Sequence, residues 1–387
     1  MNRYLNFLKF FFLLSFFLLG TSVFATEIGK EATFNSKGYF QIDHVAWKGD
    51  KNDDFLSGAV LKNANFYING KYNKDFSYFV HFNFKLKQKV SQAYVKYSSN
   101  YWNIQFGKML IPFSLEESIN LNHRVFMERC LLNDAIENDF LGVAISFKRK
   151  IYNTSVSVVI PELTYNFDKK QCNKYSIFIR SFVNPVRYMN VIGHFGVNYK
   201  LMKTHSEEYS PIGSMIFKDI PSFYTPNSLL ASQLSSLPKY YVLGFELIGV
   251  WNALCIQSEV AYINALWRDY ESEIYNSWYL QASLLLTGET RSYNFRLGNL
   301  NDPVPNFAFG AFEIAFRYSH NYMMNNGPLL RGVSAKDGKK DTFICGLNWF
   351  INNGLKLQIN YAYEEFTYRL LNNRSLSGFG FRMQFSF

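Results

Sequence analysis

The stretch Asp75–Lys87, DFSYFVHFNFKLK, alternates without a break. Phe76, Tyr78, Val80, Phe82, Phe84 and Leu86 share one face, while Ser77, Phe79, His81, Asn83, Lys85 and Lys87 share the other. A period of two is the pattern of a strand with one apolar and one polar face. About ten residues is also the length of a tilted strand that crosses a bilayer.

The alternation recurs to the end of the chain. Ala93, Val95 and Tyr97 alternate with Gln92, Tyr94 and Lys96, and Leu355, Leu357, Ile359, Tyr361 and Tyr363 alternate with Lys356, Gln358, Asn360, Ala362 and Glu364. The last such segment is Phe379, Phe381, Met383, Phe385 and Phe387, interleaved with Gly380, Arg382, Gln384 and Ser386. Short polar turns at 72–75, 98–100, 148–150, 251–253 and 352–354 largely alternate with longer segments at 48–59, 109–138, 161–174, 201–239, 265–276, 319–340 and 365–376. The connection 287–309 is unusually long for the turn side. This layout predicts an all-β, transmembrane up-and-down antiparallel β-barrel of about 16 strands.

Composition excludes other classes. The 387 residues carry 39 Phe, 27 Tyr and 6 Trp, with only 18% charged residues, which excludes disorder. Four Cys are too few for a disulfide-stapled scaffold of this length. The mean hydropathy of −0.12 is far below that of a helical membrane bundle. Residues 1–25 carry Arg3 and Lys9, an apolar run from Phe10 to Leu19, and a Val23-Phe24-Ala25 end, the pattern of a secretory signal peptide. The apolar run is too short for a spanning anchor, which needs about 20 residues. Removing this segment takes two positive charges from the net +10. Export excludes nucleic acid as the partner of the basic excess. Residues 26–36 are expected as a short N-terminal periplasmic segment and 37–387 as the barrel domain.

Residues 106–129, FGKMLIPFSLEESINLNHRVFMER, carry a further signal. Gly107-Lys108, Pro112-Phe113-Ser114-Leu115-Glu116-Glu117 and Phe126-Met127-Glu128-Arg129 resemble the phosphate-selective porin O and P family. So do Trp278–Ser283 with Leu286–Glu289, Ala311–Ser319 and Gly346–Phe350, in the same order. The resemblance implies an outer-membrane porin: a homotrimer of sixteen-stranded barrels in the bacterial outer membrane, each with a water-filled lumen for small anions such as phosphate. It also implies that the segment after Lys108 folds inward as the constriction loop, with Pro112, Phe113, Ser114, Leu115, Glu116 and Glu117 on it. The family's second strand usually carries an Arg-Arg-Ala-Arg run. Here Lys62-Asn63-Ala64-Asn65 stands in its place, which weakens the case for phosphate specificity.

A Lys or Arg on the lipid face near the midplane costs about 2–4 kcal/mol, so mid-strand cations of polar-face parity are expected to line water. They are Lys85, Lys96, Arg180, His194, Lys200, Arg317, Lys356 and Arg382, with Arg129 on the inward loop. Such cations favour anions in a pore. The competing reading of each is a rim charge or a salt bridge inside the wall, since Glu246, Glu259, Glu313 and Glu364 share the same parity. No cofactor or metal site is expected: the Cys spacing is not that of a metal site. A Cys130–Cys172 disulfide stays open. No nucleophile–base constellation suggests an enzyme. The alternative function is a non-selective diffusion porin that doubles as a major surface antigen.

Overall fold

The computed structural model describes residues 32–49, 55–86, 89–111, 113–130, 140–161, 174–188, 190–204, 215–218, 222–223, 230–234, 239–266, 273–323 and 337–387. The segment read as a signal peptide, Pro112 and Cys172 lie outside the described residues.

Sixteen antiparallel strands close into a barrel. In chain order they are β1 (Thr33–Gly49), β2 (Phe55–Lys71), β3 (Phe76–Asn83), β4 (Val90–Ser98), β5 (Trp102–Met109), β6 (Phe140–Lys148), β7 (Tyr152–Pro161), β8 (Lys174–Tyr188) and β9 (Val191–Thr204). They continue with β12 (Lys239–Trp251), β13 (Leu254–Leu266), β14 (Glu273–Leu285), β17 (Ala311–Met323), β18 (Gly338–Phe350), β19 (Leu355–Tyr368) and β20 (Arg374–Ser386). Two small hairpins are not part of the wall: β10 (Met215–Lys218) with β11 (Ala231–Leu234), and β15 (Tyr293–Asn294) with β16 (Asn299–Leu300). Each wall strand pairs with its neighbour in the chain, and β1 closes onto β20 from Tyr39–Ser386 to Gly49–Leu376. Because β1 begins at Thr33, residues 33–36 belong to the barrel and not to a leading segment.

Burial inverts the pattern of a soluble domain. Phe106 is 63% exposed and Phe379 60%, whereas the inward Arg382 and Gln281 are 1% and 2% exposed. Apolar side chains point out and polar ones point in, as a lipid-facing wall requires. The alternation that defines the strands thus also decides which residues meet the lumen.

One expectation fails locally. The strand expected over 75–87 ends at Asn83, and Lys85 lies in an exposed turn. The Asn83 side chain accepts from the Lys85 backbone N–H at 3.0 Å, and Asn83 N donates to Lys89 O at 2.7 Å. An Asn that hydrogen-bonds its own backbone two residues on closes a turn. The sequence alternates straight through it, so period alone cannot mark the end. Strands β3 to β6 are short, at eight or nine residues each.

The barrel is not empty. The segment after β5 folds inward, burying Met109, Ile111, Phe113, Leu115, Phe126 and Met127 to 2% exposure or less. All but Leu115 pack with inward Trp47, Phe178 and Tyr240 of the wall. Phe223, from the connection between β9 and β12, packs at a tilt of 54° against Trp47 with centroids 4.8 Å apart. Gly380 of β20 makes room here: a Cβ on it would stand 2.7 Å from the Phe223 ring and 2.8 Å from Met127 Sδ. The long turn-side connection between β14 and β17 also enters the lumen, where Leu300 packs on Leu115 of the constriction loop.

Candidate functional site

The constriction loop is held by the wall at both ends. Its one helical turn, α1 (Leu115–Ser118), is capped by Ser114, whose Oγ accepts from Glu117 N at 3.3 Å. Glu259 of β13 accepts from the N–H groups of Leu115 at 2.5 Å and Glu116 at 3.0 Å. Tyr279 donates its hydroxyl to the same carboxylate at 3.0 Å. Farther along, Asn348 and Gln358 donate to Val125 O, each at 3.0 Å, and Asn360 accepts from Met127 N at 3.1 Å. The polar side chains of the inner wall therefore satisfy the backbone of a loop that has left water.

Most of the cations expected to line water are used in the same way. Arg180 is fully buried, bidentate to Glu246 at 2.8 and 2.7 Å, and also donates to Ser118 Oγ at 2.9 Å and Leu297 O at 2.6 Å. Arg382 is bidentate to Asp43 at 2.7 Å on both arms and donates to Met127 O at 2.8 Å. Arg317 reaches Glu116 at 2.7 Å and Gln281 at 2.7 Å. Lys356 donates to Arg124 O at 2.8 Å and lies 3.4 Å from Asp302. Lys200 is buried between the Phe178 and Tyr240 rings, 5.2 and 5.1 Å from their centroids. His194 bonds Tyr293 Oη at 2.6 Å and Glu246 at 3.1 Å. Arg129 pairs with Glu117; burial lowers its pKa to about 10, with Glu116 pulling the other way. Arg180, Arg317, Arg382 and Lys356 thus tie loops to the wall, each with a carboxylate beside it.

The run Lys62-Asn63-Ala64-Asn65 is structural as well. Lys62 pairs with Glu128. Asn63 donates to Gln41 Oε1 at 2.6 Å, and Asn65 Oδ1 holds His81 Nε2 at 2.8 Å. Cys130 is a buried free thiol, raised well above its ordinary pKa by burial and by Glu116.

The open part of the lumen lies along the short strands. On β2 to β6 the inward Tyr67, Phe79, Gln92, Tyr94, Lys96, Gln105 and Ser146 keep partial exposure, unlike their counterparts on β8 to β20. Lys96 stands there within electrostatic reach of Lys148, at the turn-side end of β6, and of Arg296 on the inward turn-side segment. Sequence reasoning named Lys96 and missed Lys148 and Arg296. The signal for Arg296 was available: a charged connection too long for a hairpin turn must pack against something. Arg124, on the constriction loop, was also missed. Its Nε is buried without a hydrogen-bond partner, and burial lowers its pKa against the pull of Glu116 and Glu128.

The constriction loop and the turn-side segment meet at Asp302. It stands 3.1 Å from His123 Nδ1, 3.5 Å from Arg291 and 3.4 Å from Lys356. Arg291 is bidentate to Glu313 at 2.8 and 2.7 Å. Burial works against its charge, but Glu313 raises its pKa above the ordinary value.

With this geometry in place, the comparisons with known proteins are specific. The family model for phosphate-selective porin O and P matches residues 34–199 and 227–387. Porin O of Pseudomonas aeruginosa is 23% identical over 411 aligned positions, covering 95% of this chain and 91% of the relative. Among solved structures, an anion-selective porin from Comamonas acidovorans superposes with a TM-score of 0.55 at 12% identity, covering 92% of this chain and all of the other. OmpT of Vibrio cholerae in its trimer form superposes with a TM-score of 0.52 at 10% identity, again covering 92% and 100%. The inverted wall, the inward loop and the family match converge: the chain belongs to the phosphate-selective porin O and P family, and is an anion-preferring channel of the bacterial outer membrane.

Proposed function

We propose that small anions, phosphate among them, pass along the inner wall of β2 to β6, and that Lys96, Lys148 and Arg296 supply the attracting field. The carrying observation is a contrast in charge compensation. Arg180, Arg317, Arg382 and Lys356 sit against carboxylates, and Arg124 lies within reach of Glu116 and Glu128, whereas Lys96, Lys148 and Arg296 make no ion pair among the described residues. Uncompensated positive charge in a narrow, low-dielectric passage concentrates anions and repels cations. Neutral Asn63 and Asn65, where the family has Arg, favour a broad anion filter over a phosphate-specific one. Assembly as a homotrimer belongs to the same reading, since OmpT of the same fold has been solved in a trimer form.

The test is chloride conductance of the purified porin in planar bilayers, with and without millimolar phosphate. Phosphate is expected to reduce the chloride current in the wild type and to do so much less in a Lys96→Gln, Lys148→Gln, Arg296→Gln variant. Equal block in both proteins would remove these cations from the account.

A further inference from the structure

The inner face of β1 to β4 carries a continuous run of rings. Tyr39 and Tyr67 have centroids 5.9 Å apart. Tyr67 stacks on His81 at 4.5 Å with an interplanar angle of 26° and lies 5.8 Å from Phe79. Phe79 stacks on Tyr94 at 5.2 Å and 24°. The register makes this a descending diagonal: Tyr67 stands opposite His81, Phe79 opposite Tyr94, and Ser77, one inward step nearer the turns, opposite Lys96.

Two members are fixed supports. Tyr39 is 2% exposed, and His81 is locked by Asn65 on Nε2 and by Ser91 Oγ on Nδ1 at 2.6 Å. The other three, Tyr67, Phe79 and Tyr94, keep part of their surface exposed in the open part of the lumen. Apolar ring surface held against water is unfavourable, and a porin wall is readily built from Asn, Gln and Ser as it is elsewhere here. The run also has a cation at each end. Arg124 lies within electrostatic reach of Tyr39, and Arg296 within reach of both Tyr94 and Lys96.

We propose that this wall is a binding track for small anions that carry a flat ring, with aryl carboxylates as the model class. The ring of the solute stacks in turn on Tyr67, Phe79 and Tyr94. Its carboxylate is drawn towards Lys96 and Arg296. A flat ring meets an aromatic face over a larger area than a puckered one does, and the ring quadrupoles favour offset stacking. This deepens the proposed passage along β2 to β6 and rests on it.

The experiment compares benzoate with cyclohexanecarboxylate, two anions of equal charge and similar size that differ in planarity, as blockers of chloride current in planar bilayers. Wild type is expected to be half-blocked by benzoate at a concentration roughly threefold to tenfold lower. Phe79→Leu and Tyr94→Leu, alone and together, keep apolar bulk without a flat face. They are expected to bring the ratio towards one while phosphate block persists, with folding checked by heat-modifiable gel mobility. Lys96→Gln is expected to weaken both blockers and keep the ratio. Equal block of the wild type by the two anions, or an unchanged ratio in both Leu variants, would overturn the proposal. So would equal block by uncharged benzyl alcohol. Loss of anion preference in a chloride gradient would instead strike at the passage itself, which the ratio does not measure.

Discussion

Asp302 Oδ2 stands 3.1 Å from Nδ1 of His123, joining a segment that enters from the turn side to the constriction loop that enters from the opposite side. The same carboxylate is within 3.5 Å of Arg291 and 3.4 Å of Lys356. Neutralising the half-buried Asp302 leaves Arg291 on Glu313 but takes from Lys356 its nearest carboxylate and from His123 its cross-loop partner. Asp302→Asn is therefore expected to loosen the turn-side segment, raising single-channel conductance and current noise and lowering the temperature at which the barrel unfolds in detergent. Unchanged traces and an unchanged unfolding temperature would show that the contact is incidental.

The pH dependence of this contact has a definite sign. Burial alone would raise the Asp302 carboxyl, but Lys356, His123 and Arg291 hold it well below the usual carboxylate range. A depressed carboxylate contributes fully above its unfolded value of about 3.9 and loses that contribution only as pH falls through the lower folded value. The contact is expected to survive acidification from neutrality to about pH 4.5. A wild-type conductance step above about pH 5 that Asp302→Asn abolishes would contradict this.

Arg180 should matter for stability and not for selectivity. Its charge is matched by Glu246 at 2.7 Å, and its remaining donors hold the constriction loop and the turn-side segment. Arg180→Gln leaves a buried carboxylate that can take up a proton. The zero-current potential in a salt gradient should stay put while thermal stability falls. A shift towards cations with full stability would mean that Arg180 faces the passage after all.

Glu259→Gln tests the loop anchor. The carboxylate accepts two loop N–H groups and the Tyr279 hydroxyl, and an amide offers only one oxygen for them. Leaving a buried donor unsatisfied costs about 1–3 kcal/mol. Faster flicker of the open-channel current is expected, with selectivity intact.

The wall was legible from period alone, because lipid outside and polar matter inside give each strand two chemically distinct faces. The long connection at 287–309 was legible as an anomaly, but its inward path was not: nothing in a sequence period distinguishes a loop in solvent from one that fills a lumen. The same limit explains the cations. Parity correctly turned Arg180, Arg317, Lys356 and Arg382 inward, yet whether an inward cation meets water or a carboxylate depends on pairings such as Asp43 with Arg382, 339 residues apart. Lys85 was misplaced because an Asn-closed turn preserved the alternation. Arg296 was missed because it sits on a connection and not on a strand.

Whether these three cations set the selectivity of the pore is read from the zero-current potential across a potassium chloride gradient, for the wild type and for the Lys96→Gln, Lys148→Gln, Arg296→Gln variant. An anion-selective potential is expected for the wild type, moving clearly towards zero in the variant. A cation-selective wild type, or a variant indistinguishable from the wild type, would show that Lys96, Lys148 and Arg296 do not govern the passage.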